Sequence, residues 1–203
     1  MDNYDIQRQY AQKRFLSYDQ QAIIQKFRLE YDGEYLYTRM FSFPYRMCRK
    51  TGLLERQESG LWQDANTFNE VLTLLDILCD ARDDRRLSGQ IQSTQGFGGQ
   101  IHSSLLELKK DPLAEAFDRD IAGFCRACQA LGGKAVAGGD RAYAIELMDG
   151  LCVTVQFWHA DEDFSAQLQY FWDKNALQYI RYETMYYALG LLQSHLRRES
   201  LLF

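Results

Sequence analysis

Apolar residues recur at helical spacing between Thr67 and Asp80, where Phe68, Val71, Leu72, Leu75, Leu78 and Cys79 share a face. Thr67 with Glu70 three residues on forms a capping box at the start, so this segment is predicted to be a helix. Residues 4–30 are polar-rich. Their apolar positions Tyr10, Phe15, Ile23, Ile24 and Phe27 fit one or two helices set against a core and broken near Ser17 to Asp19. From Glu34 to Arg56 the pattern changes. YLYTRMFSF, YRMCRK and GLLER are aromatic and apolar enough for strands, and a Pro44 turn and Thr51-Gly52 divide them into a small antiparallel meander.

The second half repeats the contrast. Asp111-Pro112 offers a cap and a first helical position, and Gly132-Gly133 offers a stop. Between them an apolar face runs through Leu113, Ala116, Phe117, Ile121, Phe124, Cys125, Cys128 and Leu131, with a break near Asp118 to Asp120 that makes two helices. Residues 141–147 and 151–158 flank Met148-Asp149-Gly150, a hairpin signal. Ala166 to Trp172 alternates apolar and polar as a third strand, which leaves the acidic His159-Ala160-Asp161-Glu162-Asp163-Phe164 in the connection before it. An amphipathic helix from about Glu183 to Arg197 closes the pattern. Together these elements predict an α+β fold: a single domain over residues 1–203, with antiparallel β-structure in two meanders packed with four to six helices.

Composition narrows the function classes. The chain has 203 residues, 46% hydrophobic and 25% charged, with two prolines and no internal repeat, which suits one globular domain. A net charge of -5 argues against a nucleic-acid partner, because phosphate neutralisation needs a clustered basic surface. The basic clusters at Arg82 to Arg86 and Arg197-Arg198 are short and lie among acids. No apolar run approaches the roughly 20 residues that span a bilayer, and the charged N-terminal stretch lacks the apolar region of a signal peptide. The expectation is a cytoplasmic protein without a membrane partner, its five cysteines reduced.

Three segments carry a family resemblance: LLDILCDARDDRRLSGQIQS (Leu74 to Ser93), QALGGKAVAGGD (Gln129 to Asp140) and VTVQFWHADEDFSAQLQYFWDKNALQYIRYETM (Val153 to Met185). The chain resembles the bacterial and archaeal family of domain of unknown function 3786, most closely over about residues 67–197. Asp161-Glu162-Asp163-Phe164 is similar to an acidic family motif, Trp172-Asp173 to the end of the next element, and Glu183 to the start of the last helix. A proline that follows the acidic motif in the family is Ser165 here. The resemblance implies no reaction and no cofactor. It implies a setting in anaerobes, where some relatives carry an added cysteine-rich iron–sulfur module of the kind seen in corrinoid proteins.

Candidate chemistry concentrates at His159, Asp161, Glu162, Asp163 and Asp173, one imidazole and four carboxylates that suit a divalent cation or an acid/base pair. The same residues suit a solvated acidic turn whose aspartates bond the local backbone. Gly96, Gly98 and Gly99 lie in a glycine-rich loop within residues 87–104, which could present N–H groups to an anion or simply supply turns. Cys125 and Cys128 have redox-pair spacing but sit on the apolar face of a helix, without a second such pair. His102 and His195 stand alone. Three functions remain open: a non-catalytic ligand-binding or accessory protein, a divalent-metal-dependent enzyme using 159–163 with Asp173, or a protein-interaction module, including one that pairs with a second copy of itself.

Overall fold

A computed structural model describes residues 2–98 and 111–200. The chain is α+β, with two five-stranded antiparallel sheets among the described residues, and it divides into two compact units, Met1–Arg86 with Asn175–Leu191 and Leu87–Lys174 with Leu192–Phe203. Among the described residues there are six α-helices.

In the first unit, α1 (Asn3–Ser17) and α2 (Gln20–Phe27) are separated by Tyr18 and Asp19, and the Asp19 carboxylate caps α2 by accepting from the Gln21 and Ala22 amides. The helix α1 buries Ala11 and Phe15. Tyr10, which the spacing placed toward the core, is instead 63% exposed, because the buried stripe runs through Ala11 and Phe15, one turn apart. The first sheet is a meander of β1 (Glu30–Tyr31), β2 (Tyr35–Met40), β3 (Phe43–Cys48), β4 (Leu54–Glu58) and β5 (Leu61–Asp64). The turn expected at Pro44 lies two residues earlier. Phe41 and Ser42 both take positive φ, 48° and 67°, the primed geometry that matches strand twist. Pro44 falls inside β3 opposite Arg39, before pairing with β4 begins at Tyr45.

The helix α3 (Phe68–Asp80) starts as predicted: the Thr67 hydroxyl accepts from the Glu70 amide and donates to the Glu70 carboxylate. It departs from the one-faced expectation because every residue from Glu70 to Cys79 is buried. Its two buried acids are therefore paired. Glu70 accepts from the Tyr45 hydroxyl at 3.0 Å and from Arg56. Asp76 accepts from the Thr184 hydroxyl at 2.6 Å and from Arg14 at 2.6 Å.

In the second unit, β6 (Ile91–Ser93) precedes a short 3-10 turn, Thr94–Phe97. Then follow α4 (Pro112–Arg119), α5 (Ile121–Ala130), β7 (Lys134–Ala135), β8 (Arg141–Met148), β9 (Leu151–Trp158) and β10 (Gln167–Asp173). Asp111 caps α4 with Pro112 at its first turn, and Asp120 breaks the segment and caps α5. The sheet order is β6-β10-β9-β8-β7, so a meander is extended at one edge by a strand from much earlier in the chain. The β8–β9 hairpin turns on Asp149 and Gly150, both at positive φ, as the Asp-Gly signal required. The core of this unit is aromatic: the Phe124 ring lies 5.2 Å from Phe117 and 5.6 Å from Phe157. The last helix, α6 (Tyr182–Ser200), gives its first residues to one unit and its last to the other.

Candidate functional site

Trp158 pairs with Gln167 across β9 and β10, which closes the connection 159–166 and lifts the acidic segment off the end of the sheet. The connection is pinned at its base. The His159 amide donates to the Asp140 carboxylate at 2.7 Å, and the His159 Nδ1 meets the Asp118 carboxylate at 2.7 Å. The same Asp118 oxygen accepts from the Ala160 amide at 3.3 Å. These bonds, the imidazole first, hold the Asp118 carboxyl below its ordinary range. The imidazole ring packs edge-on against Phe157 at 4.9 Å.

Asp140 reaches this position because of the two residues before it. Gly138 and Gly139 both have positive φ, and a Cβ on Gly139 would stand 2.5 Å from the Phe157 carbonyl oxygen. That close approach allows the Asp140 amide to donate to the same carbonyl at 2.8 Å.

Farther out, the connection folds on itself. One Asp161 carboxylate oxygen accepts from the Asp163 and Phe164 amides at 2.9 and 2.7 Å, and the Asp161 amide donates to the Phe164 carbonyl at 3.0 Å. This turn leaves Glu162 and Asp163 exposed and projects Phe164, which is 66% exposed. Between the turn and the C-terminal end of α4 is an open cleft of about 480 Å³. Glu115, Asp118 and Arg119 form the helical wall, and residues 160–166 form the other. Asp118 thus belongs to one wall while bonding the base of the other.

The remaining candidates lie elsewhere. Asp173 ends β10, about 20 Å along the strand from the acidic connection. It is buried, and its carboxylate accepts from the Ser88 amide and hydroxyl, both at 2.9 Å, and from the Gly89 amide at 2.8 Å, so it fixes the segment leading into β6. Gly96 lies within the 3-10 turn and Gly98 follows it with φ of 75°, while Gly99 and His102 fall outside the described residues. Cys128 is fully buried in α5, and burial pushes its thiol well up. A hydrogen bond with Cys125, ahead of burial, pushes the Tyr143 phenol up to about 12. His195 is buried. Among the described residues, no group of three or more His, Cys, Asp or Glu side chains is arranged to hold a metal ion.

Sequence reasoning missed Asp118, Asp140 and Glu115. Asp118 precedes its histidine by 41 positions, and the visible signal at that place was only the helix break at 118–120. No described helix is long and apolar enough to cross a membrane.

Comparison with known proteins returns no match among curated proteins and none among solved structures. The family described as "Domain of unknown function (DUF3786)" matches residues 19–194, which takes in both sheets, the pinned histidine and the acidic connection, and the chain belongs to that family.

Proposed function

We propose that this chain is a non-catalytic binding or accessory protein whose binding face is the cleft between α4 and the connection 159–166, and that its ligand is a small organic cation. The observation that carries the reading is the composition of the two walls around about 480 Å³: Glu115 and Asp118 stand with Arg119 on the helical wall, and Asp161, Glu162 and Asp163 stand with Phe164 on the other. Asp118 and Asp161 are committed to holding the walls in place, whereas Glu162 and Asp163 are exposed side chains available to a ligand. Carboxylates attract an ammonium group by charge, and an exposed aromatic ring adds a cation–π face. A binding role fits better than metal-dependent catalysis because His159 is bonded to Asp118 and Asp173 is bonded to the 88–89 segment. Five free cysteines suit a reducing cytoplasm. The family resemblance alone supports a setting in anaerobic corrinoid or iron–sulfur metabolism.

Titration calorimetry with spermidine tests the proposal. Saturable binding is expected, weakening as salt rises and weakening at least about ten-fold in a Glu162→Gln, Asp163→Asn double variant, as for loss of charge-assisted contacts. Absence of heat, or binding indifferent to both substitutions, would sink it.

A further inference from the structure

Asp118 belongs to the helical wall of the cleft, but its hydrogen bonds cross to the other wall: one oxygen meets the His159 Nδ1 at 2.7 Å and accepts from the Ala160 amide at 3.3 Å. These partners are consecutive residues at the start of the connection, 41 and 42 positions from Asp118 along the chain. The contact is therefore a clasp between two segments that only packing brings together. Its strength depends on the charge of the imidazole. With both ring nitrogens protonated the contact is an ion pair; with one proton gone the charge is lost, and the remaining proton has a choice of nitrogens.

The charged groups around the ring are carboxylates and guanidinium groups. From α4, Glu115 and Arg119 accompany Asp118 on the wall. From the segment before β8, Asp140 accepts from the His159 amide at 2.7 Å, and Arg141 donates to the Asp140 carbonyl at 2.7 Å. From β9 the ring meets Phe157, and on the connection itself Asp161 is exposed. Carboxylates and guanidinium groups ordinarily keep their charge between about pH 5 and pH 8, the range in which an imidazole ordinarily changes its own. The cleft thus holds fixed charges and one that a proton can switch.

We propose that His159 is a proton-operated regulator of the cleft: when protonated it fastens the two walls and offsets the charge of Asp118, and when it loses the proton it uncovers that charge to a cationic ligand. The regulation rests on the reading of the cleft as a site for an organic cation, whereas the clasp itself is testable without ligand. Cation and proton oppose one another at the same carboxylate, so by linkage each weakens the other's binding by the same factor. Both side chains are part-exposed, which makes the effect modest.

Two measurements on the intact chain test this. In ligand-free NMR spectra followed from pH 5 to pH 8, the Asp118 carboxyl carbon is expected to shift with the same midpoint as the His159 ring. In Asp118→Asn the midpoint of the ring is expected to move to lower pH, because the charge that favours its protonated form is gone. An Asp118 signal indifferent to pH, or a ring midpoint that the substitution leaves in place, overturns the proposal. In titration calorimetry with spermidine, affinity is expected to be at least about three-fold higher at pH 7.5 than at pH 5.5, as for one nearby charge restored in water, and equal at the two pH values in His159→Gln. Equal affinity at both pH values in the parent sinks the regulation alone. Absence of heat at both sinks the cation reading and the regulation with it.

Discussion

The carboxylates of α3 and those of the connection 159–166 differ in nearly every respect except chemistry. Glu70 and Asp76 are scattered through an apolar helix and deeply buried, with Arg56, Tyr45, Arg14 and Thr184 brought to them from other elements. Asp161, Glu162 and Asp163 are consecutive and exposed, and the one among them with defined bonds accepts them from its own loop. A dense acidic run catches the eye in a sequence, yet the acids that the fold depends on are the isolated ones. Buried ions demand partners, and partners tie elements together.

The largest expected effect follows from removing a buried partner. Asp76→Ala leaves Arg14 with Asp80 alone and strands the Thr184 hydroxyl, and is expected to destabilise the chain by about 3 kcal/mol in chemical denaturation. A loss below about 1 kcal/mol would show that the two acidic regions differ less than their burial suggests.

The second effect is one of sign. Burial raises the Asp76 carboxyl above its ordinary 3.8, against the pull of Thr184 and Arg14. Its contribution to stability is therefore fully present below 3.8 and is lost as pH rises through the raised value. The imidazole lowers the Asp118 carboxyl below 3.8, so its contribution is present above that value and is lost as pH falls. The slope of stability against rising pH between pH 3 and pH 6 should thus be more positive in Asp76→Asn than in the parent. It should be less positive in Asp118→Asn, by a smaller amount because that carboxylate is partly exposed. Slopes changed in the same direction by both variants would break the contrast.

The smallest effect belongs to the visible cluster itself. The Glu162→Gln, Asp163→Asn double variant is expected to stay within about 0.5 kcal/mol of the parent in stability, as exposed substitutions do. A larger loss would mean that these side chains hold the fold and are not free for a ligand.

The legible parts of this fold are those governed by local rules. The Thr67–Glu70 capping box, the Asp111-Pro112 start, the Asp149-Gly150 hairpin and the alternation of β10 all appear in the structure where the residues placed them. The strands β1, β5 and β7 were not legible, because they are two to four residues long and too short for a period. The full burial of α3 was hidden for a different reason: Glu70 and Asp76 look solvent-facing until Arg56 and Arg14 are known to reach them. The acidic connection was located correctly between its strands, but the residues that turn it into one wall of a cleft come from α4 and from the diglycine segment before β8. Contacts between such distant residues are set by packing, which no spacing rule reports.

The pairing of β6 with β10 bears on how the second unit is made. Ser93 lies opposite Phe171, and among the described residues β6 has no neighbour in its sheet other than β10. During synthesis β6 leaves the ribosome first and its partner strand last, with α4, α5, β7, β8 and β9 among the described elements between them. The hairpins of the meander close locally and quickly, whereas β6 must wait for a long loop to close. The edge of this sheet is therefore the last to be zipped, and until then Ile91 and the unpaired backbone of Ile91–Ser93 are open to any other extended chain nearby.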